Sequence, residues 1–274
     1  MSSRSSARLG RSIALHLFLT PLALIWLFPL WMMVVFSTMP DNGIFSPGIE
    51  LLPHGNFIDN FNNLQRDTNF VGAIGISVSV AVTYTILSVL LTSMAGWALA
   101  RYQFFGKGVV VAIILGTITL PYAVVLIPQF IMVARDFKLA NTWVALMFNS
   151  LGVLFMRQSF SMMPDDLFDA ARVEGVKEWR IFLFVALPLA RPMLAALAII
   201  LFLASWNNYL WPLLINSQPG SMTAPVALGT LIGLTKVSWG GIMAGAVMLT
   251  VPMLVVFVLL QRHFIAGIAA GAVK

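Results

Sequence analysis

The chain has 274 residues, 59% of them hydrophobic and only 9% charged, with no cysteine and a formal net charge of +6. Soluble domains carry about 25% charged residues, so this composition cannot cover a water-facing surface and describes an integral membrane protein. Disulfide, thiolate and cysteine–metal chemistry are excluded. The basic excess is read as cytoplasmic loop charge rather than as a nucleic-acid surface.

The expected fold class is all-α: a polytopic membrane protein of six transmembrane helices, with residues 1–274 forming one transmembrane domain. Six apolar stretches reach the roughly 20 residues that cross a bilayer. They are 13–36, 71–100, 108–132, 141–160, 192–214 and 240–261. The first is longer than the apolar region of a signal peptide and no small-x-small cleavage site follows, so it is read as a retained span. It holds Pro21 and Pro29; the third span holds Pro121 and Pro128, and the sixth Pro252. Each removes a backbone hydrogen bond and favours a kink, which neighbouring helices or water can accommodate.

Between the first two spans, residues 37–70 carry Asp41, Glu50, Asp59 and Asp67 and are too polar to cross, with room for a surface helix near NFIDNFNNLQ. The second span contains Ser77, Ser79, Thr83, Ser88 and Thr92, and the fourth Asn149 and Ser150. Such groups either line a cavity or bond back to their own helix. GIMAG at 241–245 permits close helix packing or reflects a Gly/Ala-rich helix. Twelve of the 16 Lys and Arg residues fall in the N-terminus, 101–107, 157–191 and the C-terminus. The positive-inside rule therefore puts both termini and the 157–191 segment in the cytoplasm.

That segment is the most charged part of the chain. In SMMPDDLFDAARVEG, Ser161 or Asp165 could cap a helix whose first turns hold Asp165, Asp166 and Asp169, where the helix dipole favours negative charge. Gly175 stands where a helix would stop in a left-handed turn. VKEWRIFLFVALP then reads as a second short helix ending before Pro188. Ala170 and Ala171 make a small, flat patch flanked by charge. Two readings of this hairpin stay open: a knob that fits a groove on another protein, or an amphipathic element on lipid headgroups. Five acidic residues between 165 and 178 weigh against anionic lipid.

DAARVEGVKEWRIFLFVALPLARP resembles the cytoplasmic "EAA" loop of ATP-binding-cassette (ABC) importer permeases: Asp169, Ala170 and Ala171, then Glu174 and Gly175, then Leu187 and Pro188. SWNNYLWPLL at 205–214 and the tail QRHFIAGIAAGAVK are similar to the carbohydrate-uptake branch, nearest to the second permease of maltose-type transporters. Asp169 stands where that family usually has Glu. The resemblance implies the type I importer permease fold with cytoplasmic termini, in a bacterial or archaeal plasma membrane. It further implies that the 161–188 loop docks on a separate ATPase, two copies of which bind ATP and magnesium. The other partners implied are a second permease, an extracytoplasmic solute-binding protein and membrane lipid. This chain itself would be non-catalytic and hold no cofactor or metal, and it contains no G-x-x-x-x-G-K-[ST].

For the solute path, Trp206 lies 15 residues, about 22 Å, along a helix from Arg191 and so in the outer membrane half. Asn207 and Asn208 beside Trp206, Tyr209 and Trp211, with Asn149, would suit a polyhydroxylated ligand. An aromatic belt at the headgroups is the competing reading. The tail with Gly271 and Val273 either reaches the ATPase interface, as the resemblance implies, or is a loose end. A sugar or sugar-like solute is expected, with glycerol phosphate or glycerophosphodiesters as the alternative cargo. A secondary transporter is the alternative of another class, but no ionisable residue stands at the centre of a span. His16, His54 and His263 are scattered and make no catalytic cluster.

Overall fold

The computed structural model describes residues 2–147, 152–218, 220–233 and 237–272, and every regular element among them is helical. In chain order these are α1 (Ser2–Ser37), α2 (Phe57–Thr68), α3 (Phe70–Arg101), α4 (Lys107–Thr119), α5 (Tyr122–Ile131), a π turn Met132–Asp136 and a 3-10 turn Trp143–Met147. Then come α6 (Val153–Ser161), α7 (Asp165–Val173), α8 (Glu178–Ile181), a π turn Phe182–Ala186, α9 (Leu187–Leu189) and α10 (Arg191–Trp206). The chain closes with α11 (Leu210–Ile215), α12 (Ala224–Thr230), a 3-10 turn Leu231–Gly233 and α13 (Trp239–Ala272).

Among the described residues, three helices are long and apolar enough to cross a membrane: Leu15–Ser37, Phe70–Arg101 and Trp239–Leu259. Two further candidates are bent pairs. α4 meets Tyr122–Asp136 at 103°, and Glu178–Leu189 meets α10 at 78°. The sharp third-span bend falls at Leu120-Pro121, where the proline ring forces the residue before it out of helical geometry. Pro21, Pro29, Pro128 and Pro252, by contrast, sit inside continuous helices. The expected fourth span, 141–160, is seen as its two flanks, because residues 148–151, including Asn149 and Ser150, lie outside the described residues. The expected fifth span, 192–214, is interrupted at 207–209, between α10 and α11.

Two compact units are formed, Met1–Phe70 with Leu228–Thr250, and Val71–Ala227 with Val251–Lys274. In the first, the acidic 37–70 segment does supply the expected surface helix, α2. Its Asn60 is buried and donates to the carbonyls of Ser37 and Met39, each at 2.8 Å. These bonds satisfy carbonyls at the end of α1 that have no helical partner. The Asp41 carboxylate accepts from the Gly240 amide at 2.7 Å, placing negative charge at the start of α13. Within GIMAG, a Cβ on Gly245 would come within 2.5 Å of Leu228 Cδ1, so the close-packing reading describes that position.

The second unit has two apolar clusters. One joins α3, α6, α7, α8 and α10 through Tyr84, Trp97, Met156, Phe160, Phe168, Ile181 and Leu201. Trp97 is its hub, with the rings of Phe160 and Phe168 edge-on at centroid distances of 5.4 and 5.1 Å. Edge-to-face rings add to area burial through their quadrupoles. The other cluster joins α3, α5 and α11 through Val80, Leu126, Val133, Leu146, Trp211 and Ile215. Of the polar series on α3, Ser79 and Thr92 bond back to the Gly75 and Ser88 carbonyls at 2.8 and 2.6 Å. Ser77 accepts from the Ala224 amide at 2.8 Å. Ser77 thus fastens α12 to α3, whereas Ser79 and Thr92 spend their hydroxyls on their own helix.

Helix α3 touches α6 backbone to backbone at Gly96, where a Cβ would meet Met156 Cβ at 2.6 Å and Arg157 N at 2.7 Å. Gly96→Val must push the two helices apart, since neither neighbour is the tip of a flexible side chain. Overpacking of this kind costs about 1–3 kcal/mol. The expected result is a lower Tm in detergent and less folded protein, with Gly96→Ala intermediate.

Candidate functional site

The charged segment folds as a helical hairpin. Pro164 precedes α7 without a side-chain cap, so neither Ser161 nor Asp165 caps the helix; Asp165 and Asp166 instead occupy its first turn. α7 ends in a Schellman arrangement: the Val176 amide donates to Ala171 O at 3.0 Å and the Gly175 amide to Arg172 O at 2.9 Å. Gly175 has φ +77°, the left-handed conformation that only glycine adopts without steric cost. Val176 and Ala171, the apolar pair that accompanies such a cap, both pack on the Trp97 cluster.

The second half differs from the sequence reading. The helix does not stop before Pro188: it passes through a π turn and continues as α9 to Leu189, with the break at Ala190. The π turn shifts the hydrogen-bond register by one residue just before Pro188, with the Leu187 amide bonding Phe182 O, so the helix continues past a residue that has no N–H to donate. Leu187 and Pro188 are half-buried, and Leu187 packs on the same cluster.

The two alanines part company, because successive residues on a helix are about 100° apart. Ala171 turns inward, whereas Ala170 is exposed. Phe168 is fully buried. The outward face of α7 is therefore Asp166, Asp169, Ala170 and Val173, with Glu174 beyond it, all exposed. Val173 is 89% exposed, unusual for a β-branched apolar residue with no lipid-length apolar helix around it.

Arg172 holds the hairpin closed. It donates to Asp169 at 2.8 Å on its own helix and to Glu178 Oε1 at 2.7 Å across the turn. Tyr102 donates to the other Glu178 oxygen at 2.9 Å. Arg172 and then Tyr102 hold the Glu178 carboxyl below the usual carboxylate range, against a smaller opposing effect of burial. The Arg172 guanidinium is held above its ordinary value, by Glu178 first and Asp169 second. The Tyr102 phenol is pushed up, chiefly by burial and next by its bond to Glu178.

The solute-path residues divide. Asn207, Asn208 and Tyr209 fall in the break after α10 and line an open groove of about 1100 Å³, together with Thr117, Tyr122 and Gln129. Among the described residues no charged side chain lines it. Trp206 and Trp211 do not face it. Both are buried, Trp206 stacked on Phe202 at 5.8 Å and Trp211 donating its indole N–H to Ala145 O at 2.9 Å. They are packing residues that fix the break on both sides. Gln129 and Tyr122 were not singled out in the sequence; they reach the groove because the 103° bend folds α5 back beside it. In the tail, Gly271 belongs to α13, which continues helically to Ala272, and Val273 lies outside the described residues. Among the described residues no group of three or more His, Cys, Asp or Glu side chains could hold a metal ion.

Residues 92–269 match the family described as binding-protein-dependent transport system inner membrane component. The chain is 35% identical over 260 residues to the arabinooligosaccharides transport system permease protein AraQ of Halalkalibacterium halodurans, covering 92% of this chain and 93% of that protein. It is 34% identical over 202 residues to the lactose transport system permease protein LacG of Rhizobium radiobacter, covering 72% and 73%. A crystal structure of a bacterial ABC transporter involved in the import of the acidic polysaccharide alginate shares the fold, with a TM-score of 0.78 at 22% identity over 96% of this chain and 99% of that one. Fold, loop and relatives together define a permease of ABC importers. The chain belongs to the binding-protein-dependent transport system inner membrane component family, and is a multi-pass membrane protein.

The hairpin clamp yields a pH prediction. Because the folded pKa of Glu178 is depressed, its contribution is present above the ordinary carboxylate range and is lost as pH falls through the lowered value. The pair is half-exposed and solvent-screened, worth under about 1 kcal/mol. The Tm difference between wild type and Glu178→Gln is therefore expected at pH 7, should begin to shrink as pH falls below the ordinary carboxylate range of about 4, and should vanish only below the lowered pKa.

Proposed function

We propose that this chain is one of two permease subunits of an ABC importer that takes up a neutral sugar or oligosaccharide. In this reading it spans the membrane six times with both termini cytoplasmic. It forms half of the translocation pathway and receives ATP-driven motion through the 161–188 loop. The remaining parts are a second permease, two cytoplasmic ATPase subunits that bind ATP and magnesium, and an extracytoplasmic solute-binding protein. The chain itself is non-catalytic.

The observation that carries this reading is the outward face of α7. Asp169, Ala170 and Val173 stand exposed on a helix whose other face is fixed by Phe168 and by the Schellman turn. A rigid helix that shows small apolar side chains between carboxylates has the form of a docking knob. Asp169 would meet a basic residue in a cleft of the ATPase and exchange its Arg172 partner for it. Asp169 keeps the charge of the Glu usual in this family at one methylene less reach. Gly271 and Val273 are assigned to the same cytoplasmic side, near the ATPase.

Two features support a neutral solute. The groove at Asn207, Asn208 and Tyr209 offers amides for hydroxyls and rings for the apolar faces of sugars, with no cation to hold a phosphate. The names of AraQ and LacG give arabinooligosaccharides and lactose as the cargo of those relatives.

Asp169→Lys reverses the charge at the docking face, where a like-charge contact costs several kcal/mol. The permease should remain folded in the membrane while co-purification of the ATPase and solute-stimulated hydrolysis are lost. Asp169→Glu should retain both. Wild-type behaviour of Asp169→Lys in both assays would remove the loop from this role. For the cargo, proteoliposomes holding the whole importer should take up neutral oligosaccharide and not glycerol 3-phosphate. The reverse preference would overturn the neutral-solute reading.

A further inference from the structure

We infer that Arg101 and Tyr102, the dipeptide at the end of α3, lock the coupling loop onto that helix, so that α3 and the loop move as one body when the ATPase closes. The inference rests on the proposed role of the loop. It identifies the span through which the motion enters the membrane.

By covalent connection the loop belongs to α6 and α10. On the α10 side that connection is interrupted by a π turn, the break at Ala190 and a 78° bend. Side-chain hydrogen bonds attach the loop to the end of α3. The Arg101 side chain is only 7% exposed and its guanidinium forks into the loop entry. One nitrogen bonds Asp165, and the other donates to Phe160 O at 2.6 Å and Met163 O at 2.8 Å. Its plane lies 4.3 Å from the Phe168 ring centroid, a cation–π contact with the buried side of α7. Tyr102 holds the other half of the hairpin through Glu178. So two adjacent residues grip both helices of the loop, and Arg172 ties those helices to each other. The fork geometry fixes orientation as well as distance, which a lysine ammonium cannot do.

Helix α3 also leads to the groove. Val80 lies 21 residues before Arg101, about 31 Å along the helix. It packs in the cluster with Leu126 of α5 and Trp211 of α11. Leu126 neighbours the groove residues Val125 and Pro128 in α5, and Trp211 follows Tyr209 and Leu210. A displacement of the loop that carries α3 with it therefore reaches both walls of the groove through packed side chains. Arg101 and Tyr102 are positioning residues: they touch neither solute nor nucleotide.

The test uses the complete importer in nanodiscs, with binding protein and cysteine-free partner subunits. This chain has no cysteine, so spin labels attach only where introduced. Leu91→Cys on α3 and Leu167→Cys on α7 both replace exposed side chains. With wild-type Arg101 and Tyr102, the label pair should give one narrow distance, the same in the nucleotide-free and ATP-trapped states. Arg101→Gln should broaden that distance and make it state-dependent. Uptake per ATP hydrolysed should fall about threefold to tenfold while the ATPase still co-purifies. Tyr102→Phe, which removes one hydroxyl and no packing, should show a smaller change in the same direction.

A wild-type distance that shifts when ATP is trapped overturns the inference, and this holds whether or not the Arg101 variant assembles. Unchanged distance and unchanged uptake per ATP in an assembled Arg101→Gln importer overturn it as well. Asp169→Lys separates the two claims. If that variant keeps ATPase co-purification and stimulation, the docking role of the loop fails, whatever the labels report.

Discussion

A guanidinium that ends an apolar helix and is almost wholly withdrawn from solvent must find acceptors in the protein. Arg101 finds them in the loop: two backbone carbonyls, the Asp165 carboxylate and the face of Phe168. Those carbonyls belong to the end of α6 and the turn before α7, where helical partners are lacking. Each side therefore supplies what the other lacks. The aromatic cluster under the guanidinium, with Trp97 at its hub, fills the remaining space, and the direction of α7 follows from it. With α7 fixed, Asp169, Ala170 and Val173 are presented outward.

The membrane part obeys the same constraint in apolar surroundings, where every backbone group needs an internal partner. The breaks in the helices are where this is hardest, and each has side chains assigned to it. At 207–209 the Asn208 carboxamide accepts from the Trp211 amide, and the Trp211 indole reaches Ala145 O. Asn216, after α11, donates to Thr142 O at 3.1 Å. Near α1, Asn60 and Asp41 do the corresponding work for the end of one helix and the start of another. Polar residues in this chain mostly repair broken helices. Asn207, Asn208 and Tyr209 are open to the groove because they stand in such a break.

How much of this could be read from the sequence depended on whether the deciding contact was local. The second span, expected over 71–100, is α3 over 70–101, because an apolar run bounded by Asn69 and Arg101 leaves little choice of ends. The left-handed turn at Gly175 was legible from glycine after a charged helical turn. Long-range partners were not. Asp41 reaches Gly240 across most of the chain, and Arg101 reaches Asp165 across 64 positions. Periodicity cannot say which face of a wholly apolar helix meets protein, and for that reason Trp206 and Trp211 read equally well as solute contacts. They are buried. The helix through Pro188 escaped for another reason: a π turn preceding the proline shifts the hydrogen-bond register, so the missing N–H does not end the helix.

The central claim is that the outward face of α7 meets an ATPase subunit. A photo-crosslinking amino acid at Val173, in the assembled importer in a native-like bilayer, tests it most directly. The account predicts a covalent adduct with the ATPase chain. Adducts with lipid alone, in a complex that still hydrolyses ATP in response to solute, would contradict it and return the hairpin to the membrane surface.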